Sequence, residues 1–252
     1  MSIIIKTDEE IAAMRQAGRI VGAILEILSK QIKPGMETRE LDVIAERELK
    51  NHGAKSSFKG YRGFPANICV SVNDEIVHGI PGKRVIHEGD IVSLDFGAIF
   101  MDFQADAAIT VGVGRVNSTA KQLIETTEGA LKASINAAHS GARLGDISAA
   151  IQNYTEPRGY SVVREYTGHG IGREMHEEPQ VPNFGLPGSG PVLKKGMTLA
   201  PEPMVNIGDW HTRLGDDYWT VLTADGSLSA HFEHTIAITD DEPEVLTKGI
   251  HA

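Results

Sequence analysis

The sequence carries a single cysteine, Cys69, which excludes an internal disulfide and a multi-cysteine zinc site. That usage fits a reducing compartment, and the cytoplasm is the expected location. Positive charge is scarce as well: 24 Lys plus Arg face 34 Asp plus Glu, for a formal net charge of -10. A field of that sign repels phosphate backbones and anionic lipid headgroups, so neither a nucleic acid substrate nor a membrane partner is expected. Net charge says nothing about its distribution, so it does not exclude a local basic patch for docking on a large ribonucleoprotein. Long hydrophobic runs are missing. The opening stretch, MSIIIKTDEE, has three consecutive isoleucines and no basic stretch ahead of them, so neither a signal peptide nor a membrane span is expected there. No Pro/Gly/Ser-rich linker divides the chain and no heptads argue for a coiled-coil dimer, which points to one domain and a monomer.

What is present suits a folded protein with a sizeable core: 252 residues, 41 % apolar and 23 % charged. In TDEEIAAMRQAGRIVGAILEIL, Thr7 and Glu10 form a capping-box pattern, and Ile11, Met14, Val21, Ile24, Leu25 and Leu28 recur near helical spacing. A second helix is predicted from Thr38 to Asn51, stopping at Gly53, and two more over 118–141 and 145–158. Between them NICVSVNDEIVHGI, GDIVSLDFGAIF, DFQADAAITVGV, GMTLAPEPMVNI and SAHFEHTIAITD read as short strands. The pattern recurs. An offset of 106 aligns Gly35 with Gly141, Glu40 with Asp146, Leu41 with Ile147 and Gly53 with Gly159; slipping it by one sets Gly89 on Gly196 and Asp95 on Glu202. The expectation is one catalytic domain, 1–252, with an internal duplication whose halves run approximately over 8–113 and 114–240.

Two carboxylates sit inside apolar strand text at Asp95 and Asp106. A hairpin turning near Phe100 to Asp102 would set them approximately opposite on one face, with Cβ atoms roughly 5 Å apart. At that distance bare carboxylates repel, so either one is protonated or a cation lies between them. A single strand aspartate more often faces solvent, but Glu202 and Glu233 sit in corresponding apolar contexts. With no Lys or Arg in those strand cores, a divalent metal is the simpler counter-charge. His169, flanked by Gly168 and Gly170, is the next candidate ligand. Carboxylates with one imidazole suit manganese, iron or cobalt, and zinc remains open.

The motifs HGIP (78–81), Asp95 with Asp106, GHGIG (168–172), HEEPQV (176–181), EPMV (202–205) and EHT (233–235) stand in order along nearly the whole chain. Together they resemble the type I methionine aminopeptidases of the bacterial kind. The resemblance implies an α+β pita-bread fold: two αβ halves related by a pseudo-two-fold, a curved antiparallel sheet inside and helices outside. It implies two divalent metal ions, with Asp95 and His169 each on one ion, Asp106 and Glu233 bridging, and Glu202 both ligand and general base. By the same likeness His176 stabilises the oxyanion, His78 bonds the departing amide, and Tyr61, Phe64, Cys69, His78, Met175 and Trp219 line the methionine pocket. The implied activity is removal of the initiator methionine from nascent polypeptide N-termini when the second residue is small. The rivals are an Xaa-Pro aminopeptidase or dipeptidase on the same scaffold, and a metal-free binding module. A thiol-protease reading of Cys69 is disfavoured, since no electropositive neighbour flanks it.

Two departures stand out. Pro201 precedes Glu202 where many relatives have isoleucine, and Ala107 follows Asp106 where many have threonine. Pro201 and Pro203 lack N–H groups, so one side of a Glu202 strand is expected to make no ladder bonds. His52, His87, His139, His211, His231, His234 and His251 are expected to be surface or structural residues, and Trp210 an exposed loop aromatic.

Overall fold

The computed structural model describes residues 2–249; the expectation for His251 lies outside them. Helix α1 (Asp8–Gln31) starts as its capping box requires: Thr7 Oγ1 accepts the Glu10 N–H at 3.3 Å, and Glu10 Oε2 accepts the Thr7 N–H at 3.1 Å. Its buried face, including Met14, Val21, Ile24, Leu25 and Leu28, follows the predicted periodicity. Helix α2 (Thr38–Asn51) ends before Gly53, whose φ of 64° is left-handed. Helix α3 (Ser118–Asn136) stops short of the predicted Gly141, and α4 (Leu144–Thr155) gives way to a short 3-10 turn over Glu156–Arg158. Among the described residues no helix is long and apolar enough to cross a membrane.

Among the described residues the strands form four antiparallel sheets. One comprises β1 (Lys55–Ser56), β2 (Cys69–Val72), β4 (Ile91–Phe100), β5 (Phe103–Gly112) and β14 (Glu233–His234), in the order β1-β4-β5-β14 with β2 also on β4. A second has β13 (Ser229–His231), β10 (Met204–Asn206) and β6 (Ser161–Val162). A third holds β11 (Thr212–Leu214), β12 (Val221–Thr223) and β3 (Glu75–Val77). The fourth runs β16 (Glu244–Val245), β15 (Ile236–Ala237), β9 (Thr198–Ala200), β7 (Thr167–Gly170), β8 (Glu177–Pro182). The apolar face of α1 covers the β4–β5 hairpin and α2 packs on α1 and β1, so that Ile24, Leu25, Leu41, Leu94, Phe96 and Ile109 share one core. Leu123 of α3 shares a smaller core with Val205 of β10 and Ala230 of β13.

Three expectations need correcting. The β4–β5 turn is made by Met101 and Asp102, both with positive φ, as in the tight two-residue hairpins that match strand twist. Phe100 therefore pairs with Phe103, Asp95 with Ala108 and Asp106 with Gly97. The two aspartates share a face but are diagonal neighbours, not opposite ones. GMTLAPEPMVNI is not one strand: β9 ends at Ala200 and β10 begins at Met204, in another sheet, with Glu202 in the link between them. Two prolines without N–H groups end the ladder there. Trp210 is half-buried, its ring stacked on His211 at 3.7 Å between centroids and covered by the Arg164 guanidinium at 5.2 Å.

Equivalent turns recur at the offset read from the sequence. Gly35 and Gly141 both have φ of 90° and donate to Ile86 O and Leu193 O. Isolated bridges join Glu37 to Val85 and Arg143 to Val192. The third residues of α2 and α4 accept the N-cap N–H alike, Glu40 from Glu37 at 2.8 Å and Asp146 from Arg143 at 2.7 Å. On these correspondences we propose one domain made of two related halves, over about 8–113 and 114–240.

Candidate metal centre

Antiparallel pairing brings the five candidate ligands together from both parts of the chain. Asp95 comes from β4, Asp106 from β5, His169 from β7, Glu202 from the β9–β10 link and Glu233 from β14. Asp106, His169 and Glu233 each offer a ligand atom within 4.8 Å of the other two, and all three are buried. His169 Nε2 lies 3.8 Å from Glu202 Oε1 and 4.0 Å from Glu233 Oε1. The other ring nitrogen, Nδ1, is 2.8 Å from the Gly170 carbonyl. A carbonyl can only accept, so Nδ1 carries the proton and Nε2 presents a lone pair toward the carboxylates.

The electrostatics ask for positive charge. Asp95 Oδ1, Asp106 Oδ1 and Glu233 Oε1 are buried and find no hydrogen-bond partner among the described residues. Burial pushes the Asp106 carboxyl up to about 7, although the Ala107 N–H acts in the other direction. Burial, and then repulsion from neighbouring carboxylates, raises Asp95, Glu202 and Glu233 well above the usual carboxylate range. Burial lowers His169 to about 4, so the imidazole is neutral near pH 7. Orphaned carboxylate oxygens and a neutral imidazole aimed at them are the donor set a divalent cation satisfies.

The carboxylates form one end of a cavity of about 140 Å³ that is also lined by Tyr61, Phe64, Cys69, His78, Met175, His176 and Trp219. Every residue nominated from the sequence therefore borders the same space. His78 has a positive φ of 62°, and its ring meets Tyr166 and Trp219 edge-on. Gly79 permits that bend, because a Cβ there would lie 2.2 Å from the Val70 carbonyl oxygen. His176 Nδ1 is 2.8 Å from the Tyr61 hydroxyl, and its ring centroid is 4.3 Å from that of His169. Burial, with help from His169, Arg62 and His78, lowers His176 to about 3; burial lowers His78 to about 4. Cys69 pairs with Asp95 across β2–β4, and burial and the nearby carboxylates drive its thiol pKa well up. A thiolate nucleophile is thereby disfavoured.

Phe58 and Arg62 also line the cavity and were not foreseen. Their loop has no periodicity to mark them. Of the two roles expected for His231, burial rules out the surface one: it is 1 % exposed, with Nε2 3.5 Å from Glu202 Oε2. Strand alternation held the missed signal: a residue two before Glu233 shares its face.

The profile of metallopeptidase family M24 matches residues 12–240. The chain belongs to that family. Among M24-like relatives, the methionine aminopeptidase of Clostridium acetobutylicum is 54 % identical over 246 residues, covering 97 % of this chain and 98 % of that one. Methionine aminopeptidase 1 of Bacillus subtilis is 53 % identical over 246 residues, covering 98 % and 99 %. The crystal structure of the Thermotoga maritima methionine aminopeptidase superposes with a TM-score of 0.97 at 48 % identity, covering 98 % of this chain and 100 % of that one. The fold is the α+β pita-bread fold of this family, with helices packed on antiparallel sheets.

Proposed function

We propose that this chain is a methionine aminopeptidase, which removes N-terminal methionine from nascent polypeptides when the second residue is small. The observation that carries the reading is one cavity with orphaned carboxylate oxygens and a neutral imidazole at one end and apolar and aromatic walls at the other. Phe64, Cys69, Met175 and Trp219, with Tyr61 and His78, give a thioether the soft surface it prefers. Relatives of matching length and more than half identity carry the methionine aminopeptidase name, which favours this activity over Xaa-Pro cleavage.

On this reading Asp95, Asp106, His169, Glu202 and Glu233 hold two divalent ions, drawn from cobalt, manganese, iron or zinc. Bound there, the ions would supply Lewis-acid polarisation of the scissile carbonyl and acidify a water. Glu202 takes a proton from the attacking water and passes it to the departing amine. With the Tyr61 hydroxyl donating to His176 Nδ1, the remaining imidazole proton sits on Nε2 and is donated to the carbonyl oxygen as negative charge builds. His78 hydrogen-bonds the departing amide. The same reading sets the enzyme in the cytoplasm, as a monomer acting on nascent chains, with ribosome docking as a further question for binding assays.

The test is anaerobic purification with elemental analysis, followed by a tripeptide assay against each added metal. Met-Ala-Ser should lose its methionine, and Xaa-Pro peptides should stay intact. Glu202→Gln should lower kcat by at least about a hundredfold, the usual contribution of a general base. A protein that never binds metal, or a Glu202→Gln variant of full activity, would sink this mechanism.

A further inference from the structure

The strand that carries Glu233 changes sheets on both sides of it. β13 ends at His231, opposite Met204 of β10. β14 pairs Glu233 and His234 with Ala108 and Ala107 of β5. β15 then joins β9, with Ile236 opposite Leu199. Carrying the β5–β14 register two residues further each way sets Asp106 opposite Thr235 and Thr110 opposite His231. In a regular antiparallel ladder, positions two residues from a pair share its bonding class, so both ends would repeat the bonding of the Glu233–Ala108 pair.

Side-chain hydroxyls stand at both ends instead. Thr235 Oγ1 accepts the Asp106 N–H at 2.9 Å and donates to the Asp106 carbonyl at 2.8 Å. Thr110 Oγ1 accepts the His231 N–H at 2.8 Å and donates to the His231 carbonyl at 2.9 Å. With the Thr110 proton committed, Ser93 Oγ, 2.8 Å away, is the donor in the Ser93–Thr110 contact. All three residues are buried. Each threonine is thus a rung that takes both hydrogen bonds of the opposite residue. The Thr235 carbonyl, released from the ladder, accepts the Leu246 N–H at 2.9 Å. Strand alternation puts Asp106 and Thr110 on one face of β5 and His231, Glu233 and Thr235 on the matching face of the other strand. The rungs therefore bracket the Asp106–Glu233 pair.

We propose that Thr110 and Thr235 are positioning residues whose hydroxyl rungs hold the Glu233 segment at the distance from β5 that lets Asp106 and Glu233 reach one cation. The inference rests on the metal reading above. Its test uses the metal-free full chain, titrated with Mn²⁺ by calorimetry, with the visible spectrum of the Co²⁺ form as a report on ligand geometry. Thr235→Val keeps the shape of the side chain and removes both bonds. It should weaken Mn²⁺ binding about ten- to a hundredfold, the range typical of groups that orient metal ligands, and alter the Co²⁺ bands. Thr235→Ser, which keeps the hydroxyl, should restore affinity and spectrum. Thr110→Val should move both readouts the same way from the other end, and the alanine variants serve where valine prevents folding. Folded variants lacking a rung that bind Mn²⁺ with wild-type affinity and give the wild-type Co²⁺ spectrum, whatever their melting temperature, would overturn the proposal. A wild-type chain that binds neither ion would overturn the metal reading, and this inference with it.

Discussion

Replacing Lys6 by methionine isolates one buried charge. The Lys6 ammonium pairs with the Glu177 carboxylate, and the two side chains are only 3 % and 5 % exposed. This pair ties the segment ahead of α1 to β8 directly after His176, and the Lys6 N–H also donates to Gly196 O at 2.8 Å. A Cβ on Gly172 would lie 2.6 Å from Lys6 Cε, so the slot is tight and methionine, similar in length, refills it. What remains is an unpaired carboxylate. Removing one partner of a buried pair costs about 3–5 kcal/mol. Glu177 Oε1 keeps the Glu174 N–H at 3.3 Å, which favours the lower end. A loss of about 3 kcal/mol lowers Tm by about 6–12 °C in a chain of this size. Urea unfolding followed by far-UV circular dichroism measures it, alongside Glu177→Gln and the double variant. The double variant has no bare charge and should be more stable than Lys6→Met alone. A loss under about 1 kcal/mol, the range of exposed pairs, or single losses that simply add, would refute the reasoning.

Two further outcomes follow from the cavity. The metal-free protein should lose stability as pH rises from about 6.5 toward 8. Asp106, at about 7, and the raised Asp95, Glu202 and Glu233 keep protons in the folded state that unfolded carboxylates release near pH 4, so their contribution declines with rising pH. The imidazoles work in the opposite sense: His78 and His169 at about 4, and His176 and His231 at about 3, add stability as pH climbs to about 6.5 and nothing beyond. Thermal scans with chelator should therefore fall above pH 6.5 and flatten when Mn²⁺ is added; a flat metal-free profile would contradict this. Tyr61→Phe keeps the ring stack at 5.4 Å and deletes the bond to His176 Nδ1. Met-Ala-Ser kcat/KM should fall about five- to tenfold, equivalent to one hydrogen bond of about 1 kcal/mol, and an unchanged rate would remove Tyr61 from the orientation of His176.

Much of the site was legible because its signal is local. Asp95, Asp106, Glu202 and Glu233 are carboxylates in apolar text without a basic neighbour, and that oddity survives in one dimension. The helix start at Thr7 was legible for the same reason, since its capping box needs residues only three apart. Register was not. The Asp95–Asp106 relation hinged on which two residues made the turn, and a shift there moves every cross-strand partner. Glu202 was read onto a strand because its neighbours have strand character, but the missing N–H groups of Pro201 and Pro203 ended the ladder.

By itself the amino-acid order determined which groups are titratable, where α1 starts and α2 stops, and that acidic side chains lie in otherwise apolar strand text; these depend on chemistry within a few bonds. Only the tertiary structure decided that His231 lies against Glu202 and that Thr110 and Thr235 serve as rungs. Hydrogen bonds such as Thr235 to Asp106 join residues 129 apart in the chain. Such partners are chosen by how strands switch between sheets, which no short window of residues encodes.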